Sequence, residues 1–274
     1  MQSSLLILSF GLSLVDAICH HGTTLYHRRA EVEEPKFGYT NLDGPLAWHG
    51  LSAENMLCAQ GQRQSPISVT GDNSSPAAGS SLAFDITDFP EGGELLNLGT
   101  TLEVEANGTM ALNNKTYTLA QFHFHTPSEH RMNGEYYPME IHFVFQAADE
   151  SLAVVGQMVE VAAMEVPSAF ISSVFANLDR AGETGAAVET APINFTALKE
   201  HIAASTIWQY EGSLTTPSCD EGVSWNVVEN PLFISSTTYR QIKSVIKFNS
   251  RYTQNAPGEV NLVDNACTAL TAEA

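Results

Sequence analysis

Three histidines near the middle of the chain, His123, His125 and His142, have the residue type and spacing to do metal chemistry. In Gln121-Phe122-His123-Phe124-His125, alternate side chains of an extended strand share a face, so Gln121, His123 and His125 point one way and the phenylalanines the other. Glu140-Ile141-His142-Phe143-Val144 repeats the pattern, with Glu140, His142 and Val144 together. Between the two runs, Asn133-Gly134 is a strong hairpin signal. A two-residue turn there sets Met132 opposite Glu135. Carried down the ladder, it sets His125 opposite His142, with His123 on the diagonal. Three neutral imidazoles converging on one point suit a divalent transition ion, and three protein ligands with a fourth position open is the catalytic zinc pattern. Gln121 and Glu140 share that face and are placed to accept from the ring N–H that a metal-bound histidine turns away from the ion.

Such strands need a frame. Alternating runs at 101–106, 117–125, 139–146 and 152–159 predict strands. Helical spacing is confined to short pieces, Phe170 to Leu178 and Tyr239 to Ile246. The small-residue stretches 71–81 and 181–191 are too short to divide the chain, and no repeat is visible. The expectation is a mainly β single domain over residues 30–274, a large and mostly antiparallel sheet with a few short peripheral helices. With 12 Lys+Arg against 31 Asp+Glu, no basic stripe exists for a nucleic-acid backbone. At 43% apolar and only 16% charged residues, the composition also argues against a disordered acidic chain.

Residues 1–17 read as a signal peptide, a short apolar run ending at Val15-Asp16-Ala17. Residues 18–29 read as a propeptide or N-terminal tail ending at the dibasic Arg28-Arg29. Sequons at Asn73, Asn107, Asn114 and Asn194 fit a secreted glycoprotein, extracellular or in the cell wall. No run reaches the ~18 apolar residues of a membrane span. Of four cysteines, Cys58 and Cys219 lie inside the folded region. Cleavage after Arg29 would leave Cys267 for a disulfide-linked homodimer, whereas an intact tail offers it Cys19.

His123-x-His125-x-x-x-Glu129 followed by His142 is similar to the metal signature of cupin oxygenases, where Glu129 would be a fourth ligand. A longer set of matches resembles another family. Gln64-Ser65-Pro66-Ile67, Gln121-Phe-His-Phe-His125, Ser128-Glu129-His130, Tyr210-Glu-Gly-Ser-Leu-Thr-Thr-Pro-Ser-Cys219, Gly222-Val223, Trp225 and Asn249-Ser-Arg251 stand in the order and spacing of an α-class carbonic anhydrase of the secreted eukaryotic, fungal kind. The resemblance implies reversible hydration of carbon dioxide to bicarbonate and a proton through a zinc-bound hydroxide, one Zn2+ per chain on His123, His125 and His142. It implies that Thr215 orients that hydroxide through Glu129, that Thr216 contacts bicarbonate or inhibitory anions and sulfonamides, and that Tyr39 joins the water network. Val144, Val154, Leu214, Val223 and Trp225 match the apolar wall for carbon dioxide. Gln121, Glu140 and the Asn249 carbonyl match the supports of His123, His142 and His125, and Cys58–Cys219 matches the disulfide of secreted members. A metal-free binding module on the same fold is the remaining alternative. Three positions depart from the family: Ser218 and Tyr252 stand where prolines are usual, and Thr100 stands where active members place a proton-shuttling histidine. Buffer, solvent chains or another histidine, such as His49 or His201, is then expected to carry the proton.

Overall fold

The alternating runs form strands where their spacing predicts them. The computed structural model describes Val32 and residues 35–272; the leader, Cys19 and Arg28-Arg29 lie outside the described residues. The strands are β1 (Ser68–Val69), β2 (Ser75–Ala78), β3 (Asp85–Ile86), β4 (Glu94–Asn97), β5 (Leu102–Glu105), β6 (Gly108–Leu112) and β7 (Lys115–His125), followed by β8 (Arg131–Met132), β9 (Glu135–Tyr136), β10 (Met139–Ala147), β11 (Leu152–Val161), β12 (Ala187–Glu189), β13 (Thr206–Ser213) and β14 (Glu221–Ile234). Short helices flank them: α1 (Trp48–Leu51), α2 (Leu57–Gln60), α3 (Ala169–Val174), α4 (Thr196–Ala204), α5 (Ser236–Ile246) and α6 (Leu262–Ala272). Helix α5 starts where Ser235 Oγ accepts from the Thr238 N–H, the usual N-cap bond.

Eleven strands form one sheet, ordered β12-β4-β5-β7-β10-β11-β14-β13-β2, with β6 on β7 and β3 on β6. Every pairing in it is antiparallel except β11 with β14. One face carries the main core. Phe122, Phe124, Ile141, Phe143 and Phe145 are fully buried there against Phe170 and Phe195, each such side chain stabilising the fold by about 1.5–3 kcal/mol. The opposite face carries the histidines, and it too is covered.

The central register differs from the expected one by two residues. His123 lies opposite His142, and His125 opposite Glu140. The Asn133-Gly134 turn does form, pairing Met132 with Glu135, but β8 and β9 join β1 in a separate three-stranded sheet. Two causes separate that hairpin from β7 and β10. Pro127 and Pro138 offer no N–H to continue the ladder. Asn249 captures the backbone of Thr126 instead, accepting from its N–H through Oδ1 at 2.7 Å and donating its own N–H to the Thr126 carbonyl at 3.2 Å. An even shift leaves every side chain on its expected face.

Strands β13 and β14 and helices α4 and α6 went unanticipated. β14 runs through Asn230-Pro231, and a bulge opposite Met158, between Gln157 and Val159 of β11, absorbs the missing N–H.

Candidate active site

The three imidazoles stand on two neighbouring strands, with ring centroids 4.5–5.2 Å apart. One ring nitrogen from each lies within 4.8 Å of the others, and all three residues are buried. The opposite nitrogen of each ring is engaged. His123 Nδ1 donates to Gln121 Oε1 at 2.9 Å, His125 Nδ1 to the Asn249 carbonyl at 2.8 Å, and His142 Nε2 to Glu140 Oε1 at 2.9 Å. That leaves Nε2 of His123, Nε2 of His125 and Nδ1 of His142 turned inward. His125 Nε2 is buried without a hydrogen-bond partner, a costly arrangement unless a metal takes the lone pair. Burial holds all three imidazoles below the usual histidine range, His125 at about 4. They are therefore neutral near pH 7, as metal ligands must be.

Glu140 anchors the group. Its Oε2 accepts the N–H groups of Glu129 and His130, both at 2.8 Å, and its Oε1 accepts from His130 Nδ1 at 2.8 Å as well as from His142. Burial alone would raise its pKa, but His130 and His142 hold it well below the ordinary carboxylate value. Room for this carboxylate comes from Gly156, opposite His142 on β11, where a Cβ would lie 2.8 Å from Glu140 Oε1.

Glu129 sits beside the cluster, with Oε2 3.5 Å from His125 Nε2 and 3.9 Å from His142 Nδ1. Its carboxylate accepts the Arg251 N–H at 2.8 Å and hydrogen-bonds the Thr215 side chain. Burial lifts its pKa to about 7, against the pull of His142 and these two donors. Glu129 does not fall within the group of three ligand atoms. The large open sheet is also not a cupin barrel, so the oxygenase reading gains no support.

Thr215 and Thr216 are buried on the β13–β14 connection. The Cys58–Cys219 disulfide pins that connection at its far end. Val144, Val154, Val223 and Trp225 gather in one buried cluster with Leu214 packed against it. Val144, Val154 and Trp225 follow one another across β10, β11 and β14. Tyr39 packs edge-on against Phe37 and Trp48, and burial together with the Glu129 charge raises its pKa. Thr100 is buried, and the Asn249 side chain donates to its carbonyl. His201 lies on α4 with Nε2 3.0 Å from the Asn230 carbonyl, and His49 lies on α1; neither contacts the three histidines among the described residues.

Residues without an assigned role in the motifs turn out to be structural neighbours of the site: His130 and Arg251, fully buried, Tyr210 at 9% exposure, and Gly156. Two further carboxylates, Glu103 and Glu105, stand opposite His123 and Gln121 across β5–β7. The alternation of 102–105 was the available signal for those two. For Gly156 there was none.

The only disulfide among the described residues is within the chain, and Cys267 is exposed on α6. This gives no support to a bridge between two chains. No helix among the described residues is long and apolar enough to cross a membrane.

The family model for eukaryotic-type carbonic anhydrase matches residues 43–268. A carbonic anhydrase of Pectobacterium carotovorum is 32% identical over 228 residues, covering 82% of this chain and 89% of the relative. Among solved structures, a fungal α carbonic anhydrase from Aspergillus oryzae is 44% identical, with a TM-score of 0.81 over 84% of this chain and 98% of that one. The α-carbonic anhydrase of Thermovibrio ammonificans in complex with the inhibitor sulfanilamide is 30% identical, with a TM-score of 0.69 over 82% and 97%. The sheet, the buried histidine triad and these matches agree: the chain belongs to the eukaryotic-type α carbonic anhydrases, zinc enzymes that catalyse the reversible hydration of carbon dioxide.

Proposed function

We propose that the zinc of this enzyme is held by His123 Nε2, His125 Nε2 and His142 Nδ1. The observation that carries the assignment is that each ring commits one nitrogen to an acceptor and turns the other to a common point. Zinc, when bound, acidifies a coordinated water and so supplies a nucleophile near neutral pH, carbonic anhydrase being the standing example of that effect.

The surrounding residues orient and exclude. Glu129 accepts a hydrogen bond from the Thr215 hydroxyl, so the Thr215 oxygen is left to accept from a donor in turn and orients the attacking lone pair. The Arg251 N–H favours the charged Glu129 that this requires. Val144, Val154, Leu214, Val223 and Trp225 form an apolar wall suited to uncharged carbon dioxide. Thr216, buried beside Thr215, is the contact for bicarbonate or an inhibitory anion, and the sulfanilamide complex of the Thermovibrio relative supports sulfonamides as inhibitors. Tyr39 joins the solvent network beside Glu129. Thr100 cannot carry a proton near pH 7, so turnover depends on buffer and rises with its concentration.

The disulfide and the sequons favour export to an oxidising compartment, with residues 1–17 as signal, 18–29 as tail and 30–274 as one domain. Asn107 and Asn114 are exposed with no side-chain hydrogen bond among the described residues, which favours them as glycan carriers. Asn73 Nδ2 is held by the Ser68 carbonyl, and Asn194 Nδ2 by Asp88. A carbon dioxide hydration assay with and without chelation, alongside His142→Ala, tests the assignment. Activity should vanish on zinc removal, return on zinc addition, and be lost in the variant. Full activity in verified zinc-free protein would overturn it.

A further inference from the structure

The hydrogen bonding behind His142 does not stop at Glu140. His130, which donates to Glu140 through Nδ1, has its Nε2 2.6 Å from the Tyr210 hydroxyl. The Tyr210 oxygen lies 2.8 Å from Ser65 Oγ, which in turn lies 3.0 Å from the Ser213 N–H, two residues before Thr215. Ser65, His130 and Ser213 are fully buried and Tyr210 nearly so. Space for the crossing comes from Gly212, where a Cβ would lie 2.6 Å from the Tyr210 ring and closer still to Ser65 Oγ.

The hydrogen-bond directions follow from the Glu140 end. The Glu140 carboxylate only accepts, so the His130 proton sits on Nδ1 and Nε2 accepts. Tyr210 therefore donates its one hydroxyl hydrogen to His130 Nε2, and Ser65 Oγ, which accepts from the Ser213 N–H, donates its own to Tyr210. His130 thereby has both nitrogens satisfied and its ring fixed at two points.

We propose that Tyr210 is a positioning residue for the zinc site. Its hydroxyl holds the His130 ring so that Nδ1–H stays on Glu140 Oε1, and that oxygen in turn aims His142 Nδ1 at the metal. This rests on the zinc assignment above. Without the hydroxyl, His130 Nε2 becomes a buried acceptor with no donor. The ring relieves that by turning or by moving its proton, and either change withdraws the donor from Glu140. Partners of metal-bound histidines typically contribute 10–100-fold in affinity. Tyr210 stands one step further out, so the lower end applies.

The test uses the full zinc-loaded enzyme. Zinc dissociation constants are measured by competition with dipicolinate for wild type, Tyr210→Phe and Ser65→Ala, together with kcat, KM and the histidine 15N NMR spectrum. Tyr210→Phe should weaken zinc about tenfold and shift the His130 nitrogen signals. Ser65→Ala keeps the Tyr210 donor, so its zinc affinity should stay within twofold while kcat/KM falls through the loosened Ser213–Thr215 segment. A zinc constant within twofold in Tyr210→Phe, or equal weakening in both variants, would overturn the proposal. The wild-type spectrum decides even if Tyr210→Phe does not fold: a His130 protonated on Nε2 rather than Nδ1 overturns it. Wild type that binds no zinc would instead overturn the zinc assignment itself.

Discussion

Replacing Gly156 with alanine adds one methyl group in the middle of β11, on the site face. A Cβ there lies 2.8 Å from Glu140 Oε1, where ordinary contact begins at 3.4 Å, so a shift of about 0.6 Å is forced. Trp225, at 3.7 Å on the other side, is not in the way and offers no relief. The strand backbone is fixed by ladders on both sides, so the carboxylate moves. Its bonds to His130 and His142 are already 2.8 and 2.9 Å, and a displacement of that size breaks or bends at least one. A charge-assisted bond of this kind contributes about 1.5–3 kcal/mol. The unfolded-state gain from Gly→Ala, about 0.4–1 kcal/mol, opposes it without offsetting it. Zinc affinity should fall about 10–100-fold. Chelator competition on folded Gly156→Ala, with carbon dioxide hydration measured at saturating zinc, checks this. An unchanged zinc constant would refute the claim that Glu140 is held in one place for His142.

Three further outcomes follow from the same geometry. Thr215→Val removes the hydroxyl at constant shape and should lower kcat/KM about a hundredfold, with zinc affinity unchanged in the same chelator assay. Cys219→Ser opens a disulfide spanning 161 residues and should cost about 2–5 kcal/mol in urea unfolding, with a drop in kcat because Thr215 and Thr216 lie just before Cys219. The metal-free protein should lose stability as pH falls from about 6.5 to about 4. Over that window the unfolded chain takes up protons that the buried histidines refuse, His125 alone contributing about 3 kcal/mol. Glu129 acts in the opposite sense: its contribution is complete below its unfolded value of 4.5 and lost as pH rises through about 7. Three histidines outweigh one carboxylate. Urea titrations of the metal-free protein at pH 7, 5.5 and 4.5 should therefore show a progressive loss of stability, and an unfolding free energy that does not fall would refute it.

The ligand face was legible because strand parity is insensitive to an even slip. Gln121, His123 and His125 stay together with Glu140 and His142 whether the register is the expected one or the observed one. The register itself was not legible, because it depends on Asn249 seizing Thr126 from 123 residues away. β14 was hidden for a local reason: Gly222, Asn226 and Asn230-Pro231 interrupt any alternation, and the strand survives through a bulge and buried neighbours on both sides. The Tyr210–Ser65 contact joins residues 145 apart, and only the fold brings them together. Tyr210 and Ser65 were visible as motif letters and not as partners.

The order of the site along the chain has a consequence for how the enzyme comes into being. All three imidazoles precede residue 143, on two strands paired within one hairpin-like excursion. The Thr215 hydroxyl and the Asn249 carbonyl come more than 70 residues later and reach the site only through long-range contacts, which close late in folding. A chain leaving the ribosome thus carries its three imidazoles well before the segment that fixes their register and holds His125. The metal ligands and the groups that orient the reaction are completed together, when the C-terminal third closes over the sheet.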